Sequence, residues 1–394
     1  MEPAAFGTSC ERAARAADRS RIADIDAQIL ELERTLSSLK EEKDSLRARL
    51  AIYTYPVLTL PNEIVSEIFV QVLPDFPRYP PPIGPLSPYL LCQICRKWRD
   101  IVFSTPALWS VISLSFRKAG RVPQKLRYLQ TSIERSGSCR LSLKLGTCLN
   151  NSRLVELRRM IIAHFHRVEY LDLSSWPGFK FPTDTELSLP RLRGLNLGYS
   201  VEELITPFVA PLLQRVVLRT LPSSIFPWFQ LTVITVRWVK LNDYSYLMHQ
   251  LVNVVHCRLS IYPTGNLSFG DITLGHLETF ILENLSSHLA LPGIIATLTL
   301  PALRRFQIAE TFFAAQDDTV DSITALVTRS GCNLRELSIT NVQTAHVTAY
   351  HDAFPSTLLA SSLEITEPFL IDRWEDDAES SDSDDKSEGT DSED

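Results

Sequence analysis

A short apolar phrase, Φ-x-x-Φ-x-Φ, recurs nine times after residue 167 and limits this chain to very few architectures. It reads Val168, Leu171, Leu173; Leu192, Leu195, Leu197; Leu213, Val216, Leu218; Leu231, Ile234, Val236; and Val252, Val255, Cys257. It continues with Leu277, Phe280, Leu282; Leu303, Phe306, Ile308; Leu334, Leu337, Ile339; and a weaker Ala360, Leu363, Ile365. The central positions lie 18 to 31 residues apart, room for one strand and one returning segment per unit. The last two apolar positions of each phrase are two apart, so in a strand they share a face, while a residue such as Asp172 points away. No unit can bury that face alone, and the array is stable only as a stack. Pro190, Pro211 and Pro301, each two residues ahead of a phrase, end the returning segment and feed an extended strand. An amphipathic helix over 122–135, with Leu126, Leu129 and Ile133, ends at Ser136-Gly137, and the alternating Cys139, Leu141, Leu143, Leu145 after it reads as the first rung.

Ahead of the repeats the spacing changes to alternating threes and fours. With Ile22 at heptad position a, Ile29, Leu36, Lys43 and Leu50 also fall at a, and Ile25, Leu32, Leu39 and Leu46 fall at d. Neither proline nor glycine interrupts this run, so the sequence predicts a coiled-coil helix over 18–52. Such a narrow seam wants a partner helix: a second copy, with Glu42 (g) reaching Arg47 (e) in a parallel homodimer through residues 22–50, or the protein's own surface. Lys43 is either a register device or a long stem that carries its charge to water.

The net charge of −7 is unevenly distributed. Residues 372–394 hold twelve acids against Arg373 and Lys386, a net −10 that leaves the rest of the chain near +3. That body offers no electrostatic footprint for nucleic acid, and the tail lacks the apolar content to offset its ordering entropy, so 372–394 is expected to be disordered, as are residues 1–17. Ser381 with Asp384, and Thr390 with Glu393, have the spacing acidophilic kinases favour, although a plain solubilising tail accounts for the same residues. Seven scattered cysteines, an odd number, favour reduced thiols over a secreted disulfide framework. With no signal-like or membrane-spanning apolar stretch, the expected setting is soluble and cytoplasmic or nuclear.

The catalytic inventory is empty. Gly-x-Ser-x-Gly, Gly-x-x-x-x-Gly-Lys and Gly-x-Gly-x-x-Gly are absent, so the chain is read as a non-enzyme with no cofactor. Cys92-x-x-Cys95 lacks a second ligand pair and reads as packing, and His164-x-His166 lacks a supporting carboxylate, so no metal site is expected. Pro77-x-x-Pro80, Pro82-x-x-Pro85 and Pro85-x-x-Pro88 could dock an aromatic groove or serve as a spacer.

Between 56 and 110 the residues describe a compact helical unit. Leu60-Pro61-Asn62-Glu63-Ile64 opens a helix with apolar Ile64, Ile68 and Phe69, a proline-rich loop follows, and a second helix runs Leu90–Val102 with a stripe of Leu91, Ile94, Cys95, Trp98, Ile101 and Val102. These motifs, with Ser104-Thr105-Pro106-Ala107-Leu108-Trp109 after them, resemble the F-box family, specifically the fungal type of F-box-like protein. The heptad helix before them and Arg135-Ser136-Gly137-Ser138 after them also look like that family, and the later repeats are similar to irregular leucine-rich repeats.

The resemblance implies a substrate receptor of a Skp1-cullin-F-box ubiquitin ligase, with Leu60, Pro61, Ile64, Ile68, Leu91, Cys95 and Trp98 facing Skp1 and the repeats holding an unknown target protein. Outward residues such as Asp172, Asn196 and Arg237, or the returning loops, are candidates for reading the target. The rival expectation is a coiled-coil and repeat scaffold that never binds Skp1. The predicted class is α+β: a coiled-coil helix over 18–52, an F-box-like domain over 56–110, a leucine-rich-repeat-like α/β solenoid over 120–371 and a disordered acidic tail.

Overall fold

A computed structural model describes the chain from Gly7 to Leu359, apart from residues 53–55, 75–77, 117–120, 148–152, 177–178, 180, 182–186, 199–207, 223–225, 263, 265–269, 286–290, 292, 314–318, 341–346 and 356. The expected acidic tail and the phrase at Ala360, Leu363 and Ile365 lie outside the described residues. The chain divides into two bodies, Met1–Val65 and Ser66–Asp394.

In the first body α1 (Gly7–Ile52) is one unbroken helix of 46 residues. It starts at Gly7, although disorder is expected through residue 17. Ala13, Ala14, Ala16 and Ala17, with Arg12 and Arg15, are strong helix formers that carry the helix back from the seam. A 3-10 turn, Pro56–Thr59, leads to α2 (Asn62–Val72), whose first turn is closed by Val65 N–H donating to the carbonyl of Pro61 at 3.1 Å.

The second body is built on one sheet. Its strands and their companions run β1 (Val111–Phe116), β2 (Leu141–Thr147), β3 (Val168–Asp172), β4 (Leu187–Ser188), β5 (Gly194–Leu197), β6 (Phe208–Val209), β7 (Arg215–Thr220) and β8 (Val233–Lys240). They continue as β9 (His256–Tyr262), β10 (Ile272–Thr273), β11 (Thr279–Asn284), β12 (Leu298–Thr299), β13 (Arg305–Ala309), β14 (Glu336–Thr340) and β15 (Leu358–Leu359). The helices are α3 (Pro88–Ile94), α4 (Arg96–Phe103), α5 (Val122–Arg135), α6 (Arg153–Ala163), α7 (Leu241–Gln250), α8 (Thr319–Ser330) and α9 (Val347–Ala353). Among the described residues eleven strands form the main sheet in chain order, β1-β2-β3-β5-β7-β8-β9-β11-β13-β14-β15, and the pairs β4-β6 and β10-β12 form two short parallel ribbons of their own.

Among the described residues all pairings are parallel, so the expected combination of helices and sheet takes the form of one large parallel sheet. The repeated phrase explains why. Its second apolar position forms one continuous ladder, Ile112, Leu143, Leu171, Leu195, Val216, Ile234, Cys257, Phe280, Phe306, Leu337, Leu359. Phe280 and Phe306 stack in it at 5.9 Å between ring centres. Each rung from Ile112 to Leu337 is nearly or wholly removed from water, and one buried leucine contributes about 2 kcal/mol.

Three sequence expectations shift. The sheet begins at Val111, ahead of the boundary expected at 120, because Val111-Ile112-Ser113-Leu114 already alternates and pairs with β2. Cys139 sits in a bend outside the strand. In the fifth phrase the rung is Val254, Cys257, Leu259, all buried, whereas Val252 is 51% exposed. Cys257 pairs with Ile234 and Phe280, which makes both adjacent spacings 23 residues and the repeat more regular than Val252, Val255, Cys257 suggests.

Candidate functional site

The residues expected to carry function are those of an interaction surface. On the second body its frame is α3 and α4. Ser87 caps α3 by accepting from Tyr89 N–H at 3.2 Å, with Pro88 at the first helical position, where its missing N–H costs nothing. The expected single helix over Leu90–Val102 is broken at Cys95, whose backbone is extended at φ −155 and ψ 169. Its thiol sulfur accepts from Trp98 N–H at 3.4 Å, and the Arg99 side chain donates Nε–H to the carbonyl of Cys92 at 2.9 Å, supplying the donor that the broken helix no longer offers.

That break decides which residues face outward. As one helix, Leu91, Ile94, Cys95 and Trp98 would share a stripe. As two, Leu91 and Cys92 turn inward and Leu90 and Ile94, four apart on α3, stand 44% and 55% exposed. Cys95 is half-buried as a cap, and Trp98 packs its ring edge-on against Phe69 at 4.8 Å. On α2, Ile68 and Val72, again four apart, are exposed, and so are Ile83 and Leu86 in the proline segment. Leu86 also holds a left-handed backbone, φ 65, a conformation a branched side chain seldom adopts and that concentrates at functional sites. Val72, Ile83, Leu86, Leu90 and Ile94 are therefore outward residues absent from the sequence-derived set. The i, i+4 spacing of Leu90 and Ile94 was the available signal. Of the residues expected to meet Skp1 on the first body, Pro61 and Ile64 are exposed and Leu60 is half-buried.

The helical unit is fastened to the sheet by aromatics. Trp109 donates Nε1–H to the Val102 carbonyl at 2.9 Å, the Arg135 guanidinium of α5 lies 3.8 Å over the Phe103 ring, and Tyr89 meets Trp109 edge-on at 5.1 Å. Two of the three proline spacings are poor docking motifs here, since Pro80 and Pro88 are buried and Pro88 belongs to α3; in the third, Pro82 is half-buried and Pro85 exposed, while Pro77 is outside the described residues.

On the sheet, the residues expected to read a target behave differently from one another. Asp172 and Asn196 point away from the core but are 1% and 5% exposed, covered by neighbours above and below in the stack. Asp172 accepts from Ser174 N–H at 2.8 Å, and burial lifts its carboxyl to about 6, against the pull of Ser174, Lys144 and Arg237. Burial, aided by that carboxylate and Tyr170, also pushes the Tyr79 phenol well above 10. Arg237 is exposed. It sits where the β8–β9 register shifts between Val236 and Val239, and next to it Trp238 meets Tyr262 at 4.9 Å, both partly open to solvent. A bulge of this kind re-aims side chains and is common beside binding sites.

Cys92 and Cys95 are free thiols on α3 and its cap, with Cys92 Sγ donating to the Pro88 carbonyl at 3.5 Å. His164 and His166 flank Phe165 in a 3-10 turn, 6.2 Å apart, and burial lowers the His164 pKa. Among the described residues no three His, Cys, Asp or Glu side chains converge as metal ligands, and no helix is long and apolar enough to cross a membrane. No protein-family model matches this chain. A search of curated proteins found no match either.

Proposed function

We propose that the protein is a substrate-recognition adaptor of a Skp1-cullin-F-box type ubiquitin ligase, non-enzymatic itself, with its helical unit docking a Skp1-like adaptor and, through it, a cullin. The repeats then act as an irregular leucine-rich-repeat-like solenoid that holds the target. The observation that carries the reading is the exposure of Ile68, Val72, Leu90 and Ile94 on two short helices otherwise firmly packed. Large apolar side chains held outward on a rigid frame favour a protein partner. Together with the F-box-like motifs from Leu60 to Trp109, they point to Skp1 as that partner. For the target, Arg237, Trp238 and Tyr262 are the favoured contacts, an exposed cation beside two amphipathic rings.

Co-purification of the full chain with recombinant Skp1 tests the docking. Ile68→Glu with Ile94→Glu should abolish the complex while circular dichroism stays unchanged, because both side chains already face water. A well-folded wild-type chain that ignores Skp1 would instead establish the scaffold reading, which the inward packing of Leu91 and Trp98 favours.

A further inference from the structure

In α1 every described side chain from residue 12 to residue 50 is exposed. The seam is no exception, from Ile25 at 41% to Leu50 at 70%. Helices owe most of their stability to packing an apolar face, and within the first body that face is open. We propose that α1 pairs in parallel, in register, with α1 of a second copy of this chain.

The charges flanking the seam suit a second copy, and overlap of all nine seam positions favours the parallel direction. In a parallel pair each g position meets the e position of the next heptad on the other helix. Arg21 then meets Asp26 of the partner subunit and Glu42 meets Arg47 of the partner subunit, while Gln28 opposite Glu33 and Thr35 opposite Lys40 carry no like-charge conflict. An antiparallel pairing sets a against d and layers only eight of the nine seam positions. With residue 25 opposite Lys43 it places Glu33 against its own copy and Arg21 against Arg49; with residue 25 opposite Leu50 it pairs Asp26 with Arg47 and Glu33 with Lys40 but leaves Ile22 without a partner layer. The ion pairs that Arg34 and Arg47 make within the helix, to Glu31 at 3.5 Å and Asp44 at 3.7 Å, are fully solvated and do not hold these side chains against exchange. Lys43 is the only polar residue among the nine seam positions from Ile22 to Leu50. A lone lysine at an a position fixes register at a cost in stability, and Glu42 of the partner subunit, next to it at g, can neutralise it. Upstream the a and d positions become Arg15, Asp18 and Glu11, so the paired stretch begins at Ile22 although the helix begins at Gly7.

The full chain decides this by light scattering coupled to size exclusion, where a dimer of the 44.5 kDa chain is expected and a monomer at all concentrations overturns the proposal. Leu32→Glu with Leu39→Glu should return the mass to a monomer without loss of the sheet signal; a variant that stays dimeric places the contact elsewhere and also overturns it. Ile25→Cys reads direction: parallel pairing joins two copies through a disulfide under mild oxidation, whereas antiparallel pairing sets residue 25 opposite Lys43 or Leu50 and gives no such cross-link. Glu42→Arg should weaken the dimer several-fold and Arg47→Glu in the same chain should restore it; failure of that rescue would refute the assigned register.

Discussion

Replacing Asp172 by asparagine tests how the stack treats a charge on its outward face. The carboxyl is 1% exposed, its Oδ1 accepts from Ser174 N–H, and its Oδ2 is buried with no hydrogen-bond partner among the described residues. Burial raises its pKa from 3.8 to about 6, with Lys144 and Arg237 opposing the rise. At ~1.4 kcal/mol per tenfold change in proton affinity this corresponds to about 3 kcal/mol. Because the folded value is the higher one, the favourable contribution of neutral Asp172 is fully present below pH 3.8 and is lost as pH climbs through about 6. About 2 kcal/mol of it falls between roughly pH 4.5 and pH 7.5. The asparagine variant has no proton to lose at this position, and its unpaired amide adds a cost that is the same at both pH values. Urea unfolding of wild type and Asp172→Asn at the two pH values should therefore show the variant gaining about 2 kcal/mol on the wild type on going to the higher pH. A gap between the proteins that does not change with pH would refute the buried-carboxylate account.

Gly198→Ala should destabilise by about 1–3 kcal/mol in urea, because its Cβ would lie 2.7 Å from Ser174 Cα and carbonyl carbon, backbone that cannot give way, whereas Gly275→Ala, with nothing within 4 Å, should be near neutral. Phe306→Ala removes a wholly buried ring from the ladder beside Phe280 and should cost about 3–5 kcal/mol, read as a lower urea midpoint. Iodoacetamide on the native protein should label half-exposed Cys95 and Cys139 well before Cys257, which is fully buried with its thiol pushed far up by desolvation; mass spectrometry after digestion reads the order.

The repeating unit was legible in the chain alone. Apolar positions two apart, recurring with room for a return, have one economical burial, and the ladder from Ile112 to Leu337 follows it, apart from the frame at Val254. The heptad from Ile22 to Leu50 was equally legible, since a helix is a local structure whose face is set by spacing alone. Spacing could not decide which of two adjacent residues faces out once a helix breaks. Cys95 ends α3 and caps α4 because the Arg99 side chain, far enough along to fold back, satisfies the Cys92 carbonyl, and that three-dimensional exchange turns Leu90 and Ile94 to solvent in place of Leu91. Nor could it show that Asp172 and Asn196, assigned by alternation to the outward face, would be enclosed. Alternation fixes the side of a strand a residue takes, but only the packing of neighbouring rungs fixes how much water reaches it.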